Sequence, residues 1–379
     1  MRSIDTVPAD ELKGKRVLVR TGLDLPLDAS GNVSDLFRAE KSLPTLEYLQ
    51  KAGARIIILS HIGRDPAQTN APVAKALSKF LKVTYVPDHF GHIAQAAVGA
   101  MKPGEIVLLE NLRQHYDLEK AKDEEFAKGF ADLGDIYVND AFTNSHRNHT
   151  SMTVLPKFLP HYAGILLAEE VSHLEEALRP PRPALVMIGG TKFETKDPVI
   201  RSFIDVYDHV FVVGAIANDV LRARGLPVGR SKISEHAPEK EVATHPHLVA
   251  LTDVTVEGSE SQARVKKVED VGEEDKIVDI GPDSVKAVAT HIESAQFILW
   301  NGPTGIYEQG YIAYTQQIAE MVARAHERGA TVVIGGGDTI AAIEAAGVDK
   351  KRLGFLSTGG GAMLEYLLKG TLPAIEALK

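Results

Sequence analysis

Short apolar runs alternate with amphipathic segments through the first half of this 379-residue chain. The first run, Arg16 to Thr21, is typical of a buried strand. Further strand candidates lie at 55–60, 83–87, 105–110 and 136–139, and helical periodicity occupies 44–52, 71–81, 92–101 and 123–133. Because strands that alternate with helices favour a parallel sheet with helices on its faces, the pattern predicts the α/β class.

Two residues mark the ends of the first predicted helix. Pro44 is expected at its start, since proline is tolerated in the first turn of a helix. Gly53 is expected to end it, because glycine is the usual residue after the last helical turn. Arg38 would then lie in the loop ahead of this helix.

The same alternation restarts in the second half, where the strand candidates are 184–188, 210–213, 297–300 and 331–334. Between the halves, leucine and valine recur at helical spacing from Leu167 to Leu178, ahead of the proline-rich segment 179–183. We therefore predict two doubly wound, Rossmann-like domains with parallel sheets, joined by a helical hinge. The first domain should cover 1–165, the hinge 166–182 and the second domain 183–370.

Composition and charge argue against several classes of protein. The chain has no cysteine, so it has no disulfides and no thiol ligand for a metal. No apolar run is long enough to cross a bilayer, and the N-terminus lacks an apolar signal-peptide core, so we expect a cytoplasmic protein that does not bind membranes. A net charge of −9 argues against general binding of nucleic acid, although a local basic pocket remains compatible with it.

Ligands of open parallel sheets bind beyond the carboxyl ends of the strands. In the first half these positions are mostly basic or polar: Asp24, Arg38, His61, Arg64, Arg113, His146 and Arg147. A single arginine at a strand end is more often a surface residue. Several that converge indicate a site for a small polyanion, because guanidinium groups bind phosphate and carboxylate through two parallel hydrogen bonds.

In the second half the same positions are rich in glycine: Gly189, Gly190, Gly214, 301–305, 335–339 and 358–361. A single Gly-Gly pair is more often a tight turn. Repeated glycine loops ahead of helices predict a nucleotide site, since they let the backbone approach phosphates and present free N–H groups to them. Neither G-x-G-x-x-G after the first strand nor G-x-x-x-x-G-K-[ST] occurs, which argues against a simple dehydrogenase or a P-loop enzyme.

Eight segments of the chain resemble, in order, the motifs of the phosphoglycerate kinase family. In the first half they are 17–26 (VLVRTGLDLP), 60–64 (SHIGR), 108–113 (LLENLR) and 138–142 (VNDAF), the last followed by His146 and Arg147. In the second half they are 188–192 (IGGTK), 300–305 (WNGPTG), 335–339 (GGGDT) and 357–361 (STGGG). The resemblance extends over almost the entire chain.

The resemblance implies reversible phosphoryl transfer between 1,3-bisphosphoglycerate and ADP, giving 3-phosphoglycerate and ATP, in glycolysis and gluconeogenesis. Mg²⁺ would assist, ATP or ADP would be the co-substrate, and a monomer is expected from the family. The C-terminal segment 371–379 would return to the first domain. Closure about the hinge is expected to bring the two reactants together and exclude water.

The resemblance also implies the site residues. The predicted phosphoglycerate site consists of Gly22, Asp24, Arg38, His61, Ile62, Gly63, Arg64, Arg113 and Arg147. The predicted nucleotide site consists of Gly190, Lys192, Lys196, Gly214, Asn301, Pro303, Glu308, Gly336, Gly337, Asp338 and Thr339. Catalysis is assigned to Arg38, Lys192 and Lys196, and the metal to Asp338.

Some positions depart from the family pattern. Gly22-Leu23-Asp24 stands where the family places Asp, an aromatic or apolar residue, and Asn, and Thr143 replaces a glycine. Because positions 22 and 24 share a face of an extended strand, we expect the carboxylate to have moved by two residues. Beside an anionic ligand, Asp24 must pair with an arginine, accept a hydrogen bond from the substrate hydroxyl, or lie away from the ligand.

Several alternatives stay open from the sequence. Lys196 could be a solvated lysine, Lys192 an ion-pair member, His61 a structural residue and Asp338 the N-cap of a helix at 339–347. A related kinase for another carboxylic or acyl-phosphate substrate, a non-catalytic binding protein and a dinucleotide oxidoreductase are the competing functions.

Overall fold

Two six-stranded parallel sheets, one in each half of the chain, organise the computed structural model, which describes residues 1–258 and 262–379. The chain forms two compact units, the first comprising Met1–Ser172 with Thr371–Lys379 and the second His173–Gly370. The predicted α/β class with two parallel sheets is confirmed. Among the described residues, no helix is both long enough and apolar enough to cross a membrane.

The sheet of the first unit is wholly parallel. Its strands are β1 (Arg16–Thr21), β2 (Arg55–Leu59), β3 (Val83–Tyr85), β4 (Ile106–Leu108), β5 (Ile136–Asp140) and β6 (His161–Ala163). They lie in the order β3-β4-β2-β1-β5-β6. Since β2 and β5 flank β1 on opposite sides, the order reverses between β1 and β5, which is where ligands of such sheets bind.

Helices cover this sheet and connect its strands. They are α1 (Ala9–Leu12), α2 (Phe37–Lys51), α3 (Ala71–Leu77), α4 (His92–Ala100), α5 (Tyr116–Ala121), α6 (Glu124–Ala131) and α7 (Ile165–Leu178). Helix α7 begins in the first unit and ends in the second.

Helix α2 begins at Phe37 and not at Pro44, so the predicted start was wrong and Arg38 lies in the first helical turn. The carboxylate of Asp35 accepts a hydrogen bond from the backbone N–H of Phe37 at 2.9 Å, which satisfies one of the free donors of that turn. Pro44 therefore lies inside the helix, where its missing N–H leaves one helical hydrogen bond unmade.

The second unit contains a parallel sheet and a smaller antiparallel one. Its strands are β7 (Ala184–Ile188), β8 (His209–Val212), β9 (Leu248–Val249), β10 (Asp253–Glu257), β11 (Ala263–Lys267), β12 (Lys276–Ile280), β13 (Phe297–Asn301), β14 (Thr331–Ile334) and β15 (Phe355–Leu356). The parallel order is β15-β14-β13-β7-β8-β9, and the antiparallel order is β11-β10-β12. Every residue of β7 and β13 is buried, as expected for central strands covered on both faces.

The remaining helices complete the chain. They are α8 (Asp197–Val206), α9 (Ala215–Ala223), α10 (Lys240–Ala243), α11 (Pro282–Ser294), α12 (Ala313–Glu327), α13 (Gly337–Ala345), α14 (Gly360–Lys369) and α15 (Pro373–Glu376). Helix α15 belongs to the first unit, where the backbone N–H of Ala374 donates to the carbonyl of Ser145 at 3.1 Å. In the second sheet the strand order reverses between β7 and β13.

Candidate active site

A buried arginine lies at the carboxyl end of β1 in the first unit. Arg20 is only 1% exposed, and its Nε donates to Ser151 Oγ at 3.0 Å while Nη1 donates to the carbonyl of Thr21. Ser151 in turn donates its hydroxyl to Glu119, and its backbone N–H donates to the same carboxylate at 3.0 Å. Arg20 therefore belongs to a buried polar network that reaches helix α5.

The same guanidinium fixes the protonation of His61. Arg20 Nη2 lies 3.2 Å from His61 Nδ1, and because guanidinium can only donate, Nδ1 accepts and the ring proton is on Nε2. Nε2 lies 3.5 Å from a carboxylate oxygen of Asp24. Burial, reinforced by the charge of Arg20 and opposed by Asp24, lowers the pKa of His61 to about 4, so the ring is neutral at pH 7.

Asp24 remains ionised among these groups. Burial by itself would raise the pKa of this carboxyl, but the hydrogen bond with His61, a 2.8 Å bond from the backbone N–H of Gly63 and the charge of Arg113 lower it to about 2. Arg38 contacts the backbone of Asp24 instead, since its Nη1 donates to the Asp24 carbonyl at 2.6 Å. The loop after β1 thus carries the carboxylate of Asp24 and holds the side chain of Arg38 through its backbone.

Asn111 connects the loops after β2 and β4. Its side-chain oxygen accepts from the N–H of Ile62 at 3.2 Å and of Arg113 at 3.1 Å, and its side-chain nitrogen donates to the carbonyls of Ile62 at 3.1 Å and Gln68 at 2.7 Å. Ile62 is fully buried, and both of its backbone polar groups are used in this way. Asn111 therefore supports the loop that carries His61.

Cations are concentrated around this edge of the sheet. Burial lowers the pKa of Arg113; the charges of Arg147 and Arg64 lower it further, while that of Asp24 opposes them. Burial and the charges of Arg20 and Arg147 likewise lower the pKa of His149 to about 4. Cations that lower the pKa of Arg113 and His149 lie close to these two residues, so this edge attracts an anionic ligand.

The sequence predictions for this half did not include Arg20, Asn111, Glu119, His149 or Ser151. Arg20 had a recognisable signal, because it is a charged residue inside an otherwise apolar strand motif. Glu119 and Ser151 had none, since only folding brings them to the end of β1.

A cavity of about 610 Å³ lies at the carboxyl ends of β7, β13 and β14 in the second unit. Most of the predicted nucleotide residues line it: Gly190, Lys196, Gly214, Asn301, Pro303, Glu308, Gly336, Gly337, Asp338 and Thr339. Lys192 is exposed and is not part of the lining. It is the only predicted nucleotide residue that the structure leaves outside this cavity.

Glycine is required where β7 and β13 end. A Cβ atom on Gly302, whose φ is +125°, would lie 2.4 Å from the Cα of Gly189. The loop is fixed by Thr339, whose hydroxyl accepts from the N–H of Gly302 at 2.7 Å and donates to the carbonyl of Gly335 at 2.9 Å. Asn301 donates to the same carbonyl at 2.8 Å. These two predicted residues shape the cavity through its backbone.

Part of the cavity is apolar. It is lined by Leu251, Val254, Ile277, Val278 and Ile280. These residues come from β10, β12 and the loop before β10. An apolar wall of this kind suits the flat face of a nucleobase.

Another part of the cavity combines charge with a helix N-terminus. Lys196 is partly buried; burial lowers its pKa and the charge of Asp338 opposes the shift. Asp338 is exposed in the first turn of α13, whose N-cap is Gly336, so the alternative that Asp338 is the N-cap of a helix at 339–347 is wrong. Free N–H groups, a lysine and a carboxylate together suit phosphates and a cation that bridges them.

No cluster of three or more histidine, aspartate or glutamate residues able to hold a metal occurs within residues 1–258 and 262–379. Mg²⁺ commonly uses one or two carboxylates and takes its other ligands from water and substrate phosphates. The carboxylate of Asp338, which lines the cavity in the first turn of α13, fits that mode of binding.

The stability of the first unit should depend on the titration of His61. His61 takes up a proton near pH 6.5 when unfolded but only near pH 4 when folded, so its contribution is present above pH 6.5 and is lost as the pH falls to 4. Urea unfolding should show the stability difference between wild type and His61→Gln falling by about 3 kcal/mol from pH 7 to pH 4. His92→Gln, on exposed α4, is the control, and a wild-type curve parallel to that of His61→Gln would contradict the assignment.

Comparisons with known proteins agree with this geometry. The family model described as phosphoglycerate kinase matches residues 6–370. A phosphoglycerate kinase from Microcystis aeruginosa is 39% identical over 400 residues, which cover 100% of this chain and 98% of that protein. One from Aquifex aeolicus is 40% identical over 387 residues, which cover 97% and 96%.

A solved structure is similar over the same length. The phosphoglycerate kinase from Coxiella burnetii matches with a TM-score of 0.83 and 32% identity, covering 99% of this chain and 98% of that one. These findings confirm the predicted family, the fold class and the enzyme class. The chain belongs to the phosphoglycerate kinase family.

Proposed function

We propose that the chain transfers a phosphoryl group reversibly between 1,3-bisphosphoglycerate and ADP, giving 3-phosphoglycerate and ATP, as part of glycolysis and gluconeogenesis. The observation that carries the proposal is the complementary chemistry at the two points where the strand order reverses. Cationic side chains occupy the first, and glycine loops with a helix N-terminus occupy the second. A cytoplasmic location and a monomeric state belong to the same proposal.

The first unit would bind phosphoglycerate. Its carboxylate and phosphate are matched by Arg64, Arg113 and Arg147, because guanidinium binds both groups in a bidentate manner. His61 is neutral and would contribute binding without acid–base chemistry. Asp24 already accepts hydrogen bonds from His61 and Gly63, and its remaining lone pairs are available to the substrate hydroxyl.

The second unit would bind ATP or ADP. The base would lie against the apolar wall, the ribose near Glu308, and the phosphates against the glycine loops and the N-terminus of α13. Lys196 would contact the transferring phosphate. Lys192 is exposed, so a contact between Lys192 and the phosphates would require the loop between β7 and α8 to move.

We propose that Mg²⁺ is held by Asp338 together with the nucleotide phosphates. A cation there would neutralise part of the phosphate charge and orient the terminal phosphate for transfer. Asp338 would fix its position, and the neighbouring Lys196 would supply positive charge on the other side of the phosphates.

Phosphoryl transfer requires in-line positioning and positive charge more than covalent help from the protein. We assign Arg38 and Lys196 to stabilise the negative charge that spreads over the migrating group in the transition state. Direct transfer also requires that the two units approach each other with both reactants bound, and that water is excluded. We assign the bending that brings the units together to segment 166–182, which contains all of α7 except its first residue, followed by Pro180 and Pro181.

Turnover with 3-phosphoglycerate and ATP should be lost in two variants that keep the fold. Arg38→Ala and Lys196→Ala should each lower kcat about a hundredfold or more, because each removes a positive charge that acts in the transition state. The controls are Lys51→Ala, in the same helix as Arg38, and Lys286→Ala, with side chains 80% and 79% exposed. A coupled assay measures the rate. Absence of wild-type turnover at millimolar substrate would favour a kinase for another carboxylic acid.

Nucleotide binding should show whether Asp338 holds the metal. Calorimetry should find that EDTA weakens the binding of ADP to wild type about tenfold but leaves Asp338→Asn unaffected, because the variant has lost the carboxylate ligand. Asp205→Asn, an exposed aspartate of α8, should behave as wild type. An equal effect of EDTA on wild type and Asp338→Asn would assign the metal to other ligands.

Closure should be visible in solution. Small-angle X-ray scattering of the full chain should give a smaller radius of gyration with 3-phosphoglycerate and a non-hydrolysable ATP analogue than with either ligand alone. An unchanged radius with both ligands bound would rule out closure about segment 166–182.

A further inference from the structure

Gly22 and Thr143 occupy the same small space at the point where the first sheet reverses its order. Gly22 directly follows β1, Thr143 lies three residues after β5, and Thr21 pairs with Asp140 where these strands end. A Cβ atom on Gly22 would lie 2.6 Å from Thr143 Oγ1 and 3.7 Å from Thr143 Cβ. The hydroxyl of Thr143 thus fills the place where a side chain at position 22 would begin.

The corresponding place in the second unit is filled differently. There the ends of β7 and β13 meet through backbone atoms, because Gly189 and Gly302 both lack a side chain. At the end of β1 the glycine accommodates a polar group instead. The absence of a side chain at position 22 and the presence of one at position 143 are therefore a single structural feature.

The hydroxyl of Thr143 retains capacity to accept a hydrogen bond. It donates to the side-chain oxygen of Asn144 at 3.0 Å, and a hydroxyl that donates once still has lone pairs to offer. Arg64, Arg113 and Arg147 of the predicted phosphoglycerate site can only donate hydrogen bonds. Asp24 is an acceptor of the same predicted site, and its carboxylate already faces the N–H groups of Gly63 and His61.

The proposed substrate supplies one group that needs an acceptor. The carboxylate and phosphate of phosphoglycerate accept hydrogen bonds, whereas its C2 hydroxyl can donate one. We propose that Thr143 is a specificity-determining residue whose hydroxyl accepts from the C2 hydroxyl of the substrate, alongside Asp24, and that Gly22 is needed to make room for it. This inference rests on the proposed function and extends it to substrate recognition.

Paired ligands and variants test the inference. 3-Phosphoglycerate and its 2-deoxy analogue, 3-(phosphonooxy)propanoate, differ only in the hydroxyl in question. Thr143→Val keeps the shape of threonine but removes its hydroxyl, so it should weaken binding of 3-phosphoglycerate about tenfold, which is about 1.4 kcal/mol. Binding of the deoxy analogue and of ATP should stay the same, as measured by calorimetry on the full chain.

Further variants separate contact from packing. Thr143→Ser keeps a hydroxyl and should keep the preference for 3-phosphoglycerate. Gly22→Ala should lower the melting temperature, and Gly22→Ala/Thr143→Gly should restore it without restoring that preference. Thr84→Val, at an exposed position of β3, should leave both affinities unchanged.

The possible outcomes separate the inference from the proposed function. Failure of wild type to bind 3-phosphoglycerate would overturn the proposed function and the inference together. If wild type binds it but Thr143→Val weakens both ligands equally, or neither, the function stands and the inference is wrong. A loss of affinity in Thr143→Val that is confined to 3-phosphoglycerate supports the inference.

Discussion

The charge of Arg20 is buried beneath the predicted phosphoglycerate site, and the arrangement of the first unit depends on how that charge is compensated. Removing an ion from water costs several kcal/mol unless hydrogen bonds and an opposite charge replace the solvent. Here Ser151, the Thr21 carbonyl and the charge of Glu119 do so. Because Nη2 of Arg20 lies against His61 Nδ1, the imidazole carries its proton on Nε2, toward Asp24, and burial keeps the ring neutral at pH 7 by lowering its pKa. One buried cation therefore sets the tautomer of His61.

The two units attract anions by different means. In the first unit, side-chain cations lie around the ends of β1, β2, β4 and β5, so a chain with a net charge of −9 still presents a positive field to a small ligand. In the second, backbone N–H groups at the start of α13 and the glycine loops offer partial charges, and Lys196, Lys232 and Lys276 line the same cavity. A nucleotide that shares its phosphate charge with a cation needs less protein charge than a free phosphoglycerate does. Each half is thus suited to a different anion.

Buried parallel strands were predictable because both of their faces are covered, so their sequences are continuous apolar runs such as β7 and β13. Strand β11 was not, since it is largely exposed and its residues look like a polar loop. The start of α2 was missed because a proline at position 44 resembles a first-turn residue more than an interior one, while Asp35 sets the actual start. Arg20, Ser151 and Glu119 contact one another across 131 and 32 residues of sequence, and no local pattern encodes such contacts.

A carboxylate in an anion site poses an electrostatic problem that the fold of the first unit resolves locally. Two like charges about 4 Å apart repel by roughly 4 kcal/mol at an effective dielectric constant near 20. Asp24 offsets this cost through the N–H of Gly63, the neutral imidazole of His61 and the charge of Arg113. Since His61 donates a hydrogen bond without carrying charge, it can hold Asp24 and leave the positive charge of the arginines to the ligand. The departure from the family pattern at positions 22 to 24 is therefore compatible with binding an anion. Under the proposed function, the residues that accept a hydrogen bond from the substrate hydroxyl then determine which substrate binds.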